Sequence, residues 1–240
     1  MASRRKEIVE FLVTELKKID GQTSTFNVSY TYSNNLFNNV FRKLKFLDEV
    51  NDFPAIYISA GTEIRDFNSK SFNSTLGNLI ADIIFIQSDS VFKYQEDKNI
   101  DFVIQNHGGI RASLPKGEVK LTDAYKILPF ENEIVIVEMD GKSIYEIVSF
   151  LKNETIPHPF SGLTINGDEV LVQSRLIIPT NKYYIATNDY LLTGGDNMFF
   201  FNKNTEVYRL GYSLRDAFID YTKSNLYLSS KIDNRFIKNE

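Results

Sequence analysis

The chain has 240 residues, 42% of them hydrophobic, which is far too apolar for a disordered segment and enough for one large or two small globular domains. Its formal net charge is −4 with the basic residues scattered rather than striped, which argues against a nucleic-acid polymer as main partner, so any anion it binds should be small. There is no cysteine, so a disulfide framework, a thiolate nucleophile and a cysteine metal site are all excluded, and the redox compartment stays open.

The start, Met1-Ala2-Ser3-Arg4-Arg5-Lys6, is basic, but Glu7, Glu10 and Glu15 interrupt what would be the apolar core of a signal peptide, and no targeting segment is read. No apolar run approaches the ~20 residues needed to span a bilayer, so the chain reads as soluble, its compartment unknown. Ile8, Phe11, Leu12, Leu16 and Ile19 recur at helical spacing and Asp20-Gly21 closes the run. A polar stretch rich in Asn, Ser and Thr follows to Asn39, with β-prone pieces such as Phe26 to Tyr32. Val40 to Leu47 fits a helix or a strand, and Pro54 to Ser59 is a strand closed at Gly61. Residues 1–70 read as a separate small α/β module.

From Ser71 the pattern changes. Ser74 is a good N-cap, and Leu76, Leu79, Ile80, Ile83 and Ile84 make the apolar stripe of a helix running to about Gln87. The apolar run Ile100 to Ile104 reads as a buried strand that ends at Asn106-His107-Gly108-Gly109-Ile110-Arg111. Two adjacent glycines permit φ > 0 and a close backbone approach, and Arg111 adds a planar, permanently charged fork suited to a carboxylate or phosphate. Taken alone, these six residues fit an anion-binding loop and a tight turn with a solvated Arg equally well.

Downstream, Lys116 to Val119 reads as a turn, Thr122 as the cap of a short helix from Asp123 to Ile127, and Leu128-Pro129-Phe130-Glu131-Asn132 as a turn before the strand Ile134 to Glu138. Asp140-Gly141 turns into a helix from Ser143 to Leu151 with Ile144, Ile147, Val148 and Leu151 inward. Leu163 to Ile165 and Val170 to Val172, joined at Asn166-Gly167-Asp168, form a hairpin. The strand Tyr183 to Thr187 then feeds a second glycine loop, Asn188-Asp189-Tyr190-Leu191-Leu192-Thr193-Gly194-Gly195-Asp196. Phe199 to Phe201 reads as core, and a last helix from Ser213 to Lys223 turns Leu214, Phe218 and Tyr221 to one face.

Asn-x-Gly-Gly-Ile-Arg, Pro-Phe-x-Asn and Asn-Asp-Tyr-x-x-x-Gly-Gly-Asp, in this order and at these separations, resemble the C-terminal substrate-binding domain of the 5′-nucleotidase family. Leu76-Gly77-Asn78-Leu79-Ile80-Ala81-Asp82 matches that family's first helix, and Asp233-Asn234-Arg235-Phe236-Ile237 its close. The resemblance covers about residues 71–237. It implies an α/β or α+β domain over 71–240, a mixed sheet flanked by helices, preceded by the small α/β module. It also implies a nucleotide or nucleoside ligand: Phe130 and Tyr190 would clamp the base, Tyr190 standing where Phe is usual. Asp196 would accept from the ribose hydroxyls, Asn106 and Arg111 would face the phosphate, and Gly108, Gly109, Gly194 and Gly195 would let the backbone approach. An arginine that the family carries just ahead of the first helix is replaced by Phe72.

Catalysis in the family belongs to an N-terminal metallophosphatase domain in which two metal ions activate water. This chain has two histidines, His107 in the first glycine loop and His158 between Pro157 and Pro159 in what reads as an exposed loop. No metal-ligand or catalytic residue is identified, no cofactor is expected in this chain, and divalent metals are expected only with a metallophosphatase domain or subunit as partner. Residues 1–70 resemble small tail-assembly proteins of phages, which sets a structural or assembly role, with an inert nucleotidase-like scaffold, beside the binding role. A phosphatase with an oxygen-only metal site is the third possibility.

Overall fold

The computed structural model describes residues 71–114, 116–225 and 227–238, together with the backbone of residues 56–58. The expected first helix, the polar stretch and the segment Val40 to Leu47 lie outside the described residues. The described elements in chain order are β1 (Ile56–Ile58), α1 (Thr75–Glu96), β2 (Phe102–Ile104), β3 (Gly117–Val119), α2 (Leu121–Ile127), β4 (Glu133–Asp140), α3 (Gly141–Asn153), β5 (Phe160–Ser161), β6 (Leu163–Asn166), β7 (Glu169–Val172), β8 (Arg175–Leu176), β9 (Lys182–Asn188), α4 (Asp189–Leu192), β10 (Glu206–Ser213), α5 (Leu214–Ser224) and β11 (Phe236–Ile237). Mixed sheets flanked by helices are the architecture that the sequence leads one to expect.

The organising element is a five-stranded sheet of order β10-β4-β9-β2-β5. β2 runs parallel to β9, with Phe102 opposite Ile185, while β4 runs antiparallel to both β9 and β10. Both faces are covered, which is why Ile134, Val135, Ile136 and Val137 are all fully buried and read as one continuous apolar run. Alternation divides them: Val137 and Met139, with Phe102, Ile104, Tyr183 and Ile185, join a core built with Ile144, Ile147, Val148 and Leu151 of α3. The long helix α1 packs against α5, β2 and β5. A second sheet, β11-β6-β7-β8, contains the expected hairpin, its two-residue turn opened by Gly167 at φ 58. Arg235 ties this C-terminal strand to α1, donating to the carboxylates of Asp82 and Asp233 and to the Phe160 carbonyl.

Ser74 caps α1, its hydroxyl accepting from the Gly77 N–H at 3.1 Å. The helix runs past Gln87 to Glu96, because Val91 and Phe92 continue the buried stripe. Ser88 donates to the Ile84 carbonyl at 2.6 Å and stays in the helix. Asp97, left-handed at φ 54, closes it. Lys116 to Val119 is more than a turn: Gly117–Val119 pairs antiparallel with Ile56–Ile58, so the strand at 56–58 shares a sheet with residues beyond 71. α2 begins at Leu121 and is capped by Asp123 rather than Thr122, the Asp123 carboxylate accepting from the Lys120 N–H at 2.9 Å. Asp140 caps α3 by accepting from the Ser143 N–H at 2.9 Å, and the four inward residues expected of that helix are buried.

Candidate functional site

Strand directions gather the three motifs. Because β2 and β9 are parallel, their C-terminal ends lie at one edge of the sheet, and because β4 is antiparallel its N-terminal end lies there too. The loop after β2 carries Asn106 to Arg111, the loop after β9 carries Tyr190 to Asp196, and the turn before β4 carries Phe130. Ligand sites of open sheets are built from such strand-end loops. Two hydrogen bonds lock the loops together underneath: the Glu133 N–H donates to Asp189 Oδ1 at 3.2 Å, and Asn188 Nδ2 donates to Gln105 Oε1 at 2.6 Å. Asn188 also caps α4 through the Leu191 N–H.

The centre of the site is the Asp196 carboxylate. Asn106, buried, donates from Nδ2 to Asp196 Oδ2 at 2.8 Å, and the Tyr190 hydroxyl donates to Asp196 Oδ1 at 2.8 Å. The Asp196 N–H returns a bond to the Tyr190 hydroxyl at 3.3 Å. The carboxylate beside it raises the Tyr190 hydroxyl above its ordinary pKa. Asp196 and Asn197 both adopt left-handed backbone, at φ 49 and 61, a conformation that costs a non-glycine residue about 1–3 kcal/mol and persists where the surroundings over-determine it. The hydrogen bonds to Asn106 and Tyr190 are those surroundings. One N–H of the Asn106 amide, expected to face a phosphate, is thus given to Asp196.

The glycines serve different purposes. Gly108 and Gly109 do not use the φ > 0 that a glycine pair permits; the chain makes a 3-10 turn there, and a Cβ on Gly109 would lie 3.1 Å from Asn106 Oδ1 and one on Gly108 3.7 Å from Asp196 Oδ2. Close approach is what Gly109 provides, whereas a Cβ on Gly108 would make only ordinary contacts. Gly194 is left-handed at φ 88 and underlies the ring of Phe199. A Cβ on Gly195 would come within 2.5 Å of the Tyr190 ring, so the ring lies directly on the backbone. Phe130 is 48% exposed and Tyr190 45%, so both rings stay available at this edge. Phe199, expected in the core with Phe200 and Phe201, is instead 60% exposed: in the 3-10 helix Phe199–Lys203 three successive side chains cannot share one face, and the outer one rests over Gly194.

Arg111 is exposed, its backbone N–H bonded to the Ile127 carbonyl and its Nη1 3.4 Å from the Gly108 carbonyl. It forms no ion pair among the described residues. Phe72, where the resemblance leads one to expect an arginine, is a core ring, edge-on to Phe236 at 5.3 Å with Lys238 Nζ 4.4 Å above it. His158 is not exposed either: it is 4% accessible, its Nδ1 accepts the His107 N–H at 3.3 Å, and the two imidazoles meet edge to face at 4.8 Å. The flanking prolines that mark a loop in sequence pack this segment across the end of β2, where the Pro159 carbonyl accepts the Gln105 N–H at 2.8 Å. Burial, helped by the charge His107 can carry and opposed by Asp196, pushes His158 down to about 4. Among the described residues no three His, Asp or Glu side chains converge on a metal position, and no helix is long and apolar enough to cross a membrane.

Comparison with known proteins bears on the fold and the family. The profile of the 5′-nucleotidase C-terminal domain family matches residues 56–203, beginning at β1. The chain is 24% identical over 215 residues to the trifunctional nucleotide phosphoesterase protein YfkN of Bacillus subtilis, covering 79% of this chain and 14% of that protein. It is 29% identical over 134 residues to the NAD 5′-nucleotidase of Haemophilus influenzae, covering 46% of this chain and 22% of that protein. The chain therefore spans less than a quarter of the length of these relatives. A 5′-nucleotidase precursor from Thermus thermophilus shares the fold with a TM-score of 0.62 at 21% identity, over 83% of this chain and 41% of that one. The Haemophilus influenzae NAD nucleotidase does so with a TM-score of 0.57 at 19% identity, over 92% of this chain and 43% of that one. These comparisons do not show the expected similarity of residues 1–70 to phage tail-assembly proteins. With a profile match over more than half of its length, on a fold that these nucleotidases share, the chain belongs to the 5′-nucleotidase C-terminal domain family.

Proposed function

We propose that this domain binds a nucleotide or nucleoside as the substrate-binding part of a 5′-nucleotidase-type hydrolase. The observation that carries the reading is the Asp196 carboxylate, fixed by Asn106 and Tyr190 beside exposed aromatic rings. A carboxylate has about four acceptor positions, so with two filled by protein donors it can still accept from a pair of ribose hydroxyls. The rings of Tyr190 and Phe130 offer apolar faces for the base, each stack contributing about 1–3 kcal/mol with little dependence on which base it is. Arg111, on the loop that abuts Asp196, supplies an exposed guanidinium for a phosphate. The names of the Bacillus and Haemophilus relatives, a nucleotide phosphoesterase and an NAD 5′-nucleotidase, favour the same ligand class.

Hydrolysis falls to a metallophosphatase domain or subunit, whose two metal ions would supply the activated water. The residues described here offer no metal cluster, and no step of that chemistry is assigned to them. Calorimetric titration of the chain with adenosine and AMP, followed by a phosphate-release assay with Mn²⁺ or Zn²⁺, tests the proposal. Binding without release is the expected result. If neither ligand binds at millimolar concentration, the substrate-binding reading is wrong; if phosphate is released by this chain alone, the division of labour is wrong.

A further inference from the structure

Arg215 stands on α5, 85 residues from Phe130 in sequence, yet its side chain ends beneath the turn that carries that ring. The residue is 3% exposed. Its Nη1 donates to the carbonyls of Leu128 and Pro129, both at 3.1 Å, and reaches that of Phe130 at 3.5 Å. Its Nη2 pairs with the Glu131 carboxylate, and its guanidinium carbon lies 4.3 Å from the centre of the Tyr125 ring. One cation thus collects three successive carbonyls of a single turn. Burying a charge is costly unless hydrogen bonds compensate it, and most of the compensation here comes from this turn. The Phe130 ring is 48% exposed and contacts no other aromatic ring among the described residues, so the turn below it is the hold that Arg215 supplies.

We propose that Arg215 is a positioning residue that holds the Phe130 ring at the ligand edge of the sheet. Its importance to the ligand rests on the reading of Phe130 as a base-facing ring; its hold on the turn does not. A lysine keeps a cation under the turn but cannot serve the carbonyls, Glu131 and the Tyr125 face together, because it lacks the planar fork.

The chain has no tryptophan, so Phe130→Trp places a single indole at the position in question. Time-resolved fluorescence anisotropy of this variant, alone and with Arg215→Lys or Arg215→Met, reads the freedom of the ring, while far-ultraviolet circular dichroism reports whether the fold is kept. The expected order of restraint is Arg, then Lys, then Met. Adenosine affinity, followed by indole quenching, should fall roughly tenfold from Arg to Met, about the loss of a weak base stack. The ratio of AMP to adenosine affinity should stay constant, because Arg111 is untouched. Equal restraint in the Arg, Lys and Met proteins overturns the proposal; should the Met variant fail to fold, equal restraint in Arg and Lys does so. An indole that is freed as expected, in a protein that binds no adenosine at all, supports the positioning role and removes the nucleotide reading.

Discussion

Replacing Gly195 by alanine separates the seating of Tyr190 from backbone strain, because Gly195 does not use the left-handed conformation that Gly194 requires. The new Cβ would stand 2.5 Å from Tyr190 Cε1, 2.6 Å from Cζ and 2.7 Å from Cδ1. Non-bonded carbons rest at about 3.5–4.0 Å, so the ring must retreat by roughly 1 Å. Its hydroxyl is 2.8 Å from Asp196 Oδ1, and a retreat of that size carries it out of hydrogen-bonding range. A bond to a charged acceptor contributes about 1.5–3 kcal/mol when sheltered. Exposure of Tyr190 lowers that to about 1 kcal/mol, equivalent to a fall in Tm of about 2–4 °C for a domain of this size. Ligand binding should suffer more, since a displaced ring forfeits a stack of about 1–3 kcal/mol, or roughly 5- to 150-fold in affinity. Titration of the variant with adenosine, beside a thermal melt, makes the comparison, and the same alanine placed in a Tyr190→Ala background should then be nearly silent. Wild-type affinity in Gly195→Ala, or an equal loss in the Tyr190→Ala background, would refute the account of how the ring is seated.

Other perturbations probe different parts of the argument. Arg111→Ala should weaken AMP by roughly 10- to 150-fold, the range of a charge-assisted hydrogen bond, and leave adenosine nearly unchanged; equal losses for the two ligands remove Arg111 from the phosphate role. Gly141→Ala puts a Cβ 2.3 Å from the Ile178 carbonyl oxygen, which is backbone and cannot swing away, so it should cost about 1–3 kcal/mol in urea unfolding without altering ligand affinity in the folded protein. His158 titrates near 4 when folded, against 6.5 when free. The unfolded chain therefore binds the extra proton first, and stability drains away as pH falls from about 6.5 to 4, by on the order of 3 kcal/mol at most. His158→Phe should flatten that part of the pH dependence of the urea midpoint; an unchanged slope between pH 7 and pH 4.5 would show that His158 is not its source.

Periodicity and punctuation made much of the fold legible. The strands and helices on both sides of the hairpin follow from apolar spacing, and Ser74, Asp140 and Ser213 stand at helix starts where their short oxygens accept backbone N–H groups. The ends were harder to read. The helix expected to end near Gln87 runs on to Glu96: Ser88 bonds back to Ile84, and whether Val91 and Phe92 are core depends on what α1 meets in space. Gly117 looks like a turn because the strand that pairs with it lies some sixty residues earlier.

The same division runs through the site. Motif order alone brought Asn106, Arg111, Phe130, Tyr190 and Asp196 into one list, since each loop follows or precedes a recognisable strand. How they meet depended on strand direction: parallel β2 and β9 and antiparallel β4 put the three loops at one edge, and no local pattern encodes that choice. Likewise nothing near Arg215 announces that it reaches the Phe130 turn, and nothing near His158 announces burial, because both facts are contacts between segments distant along the chain. Local sequence determined which residues are chemically fit for a ligand, through side-chain type and backbone freedom. Tertiary structure decided which of them share an atom-to-atom contact, because burial and hydrogen bonding are settled by packing in three dimensions.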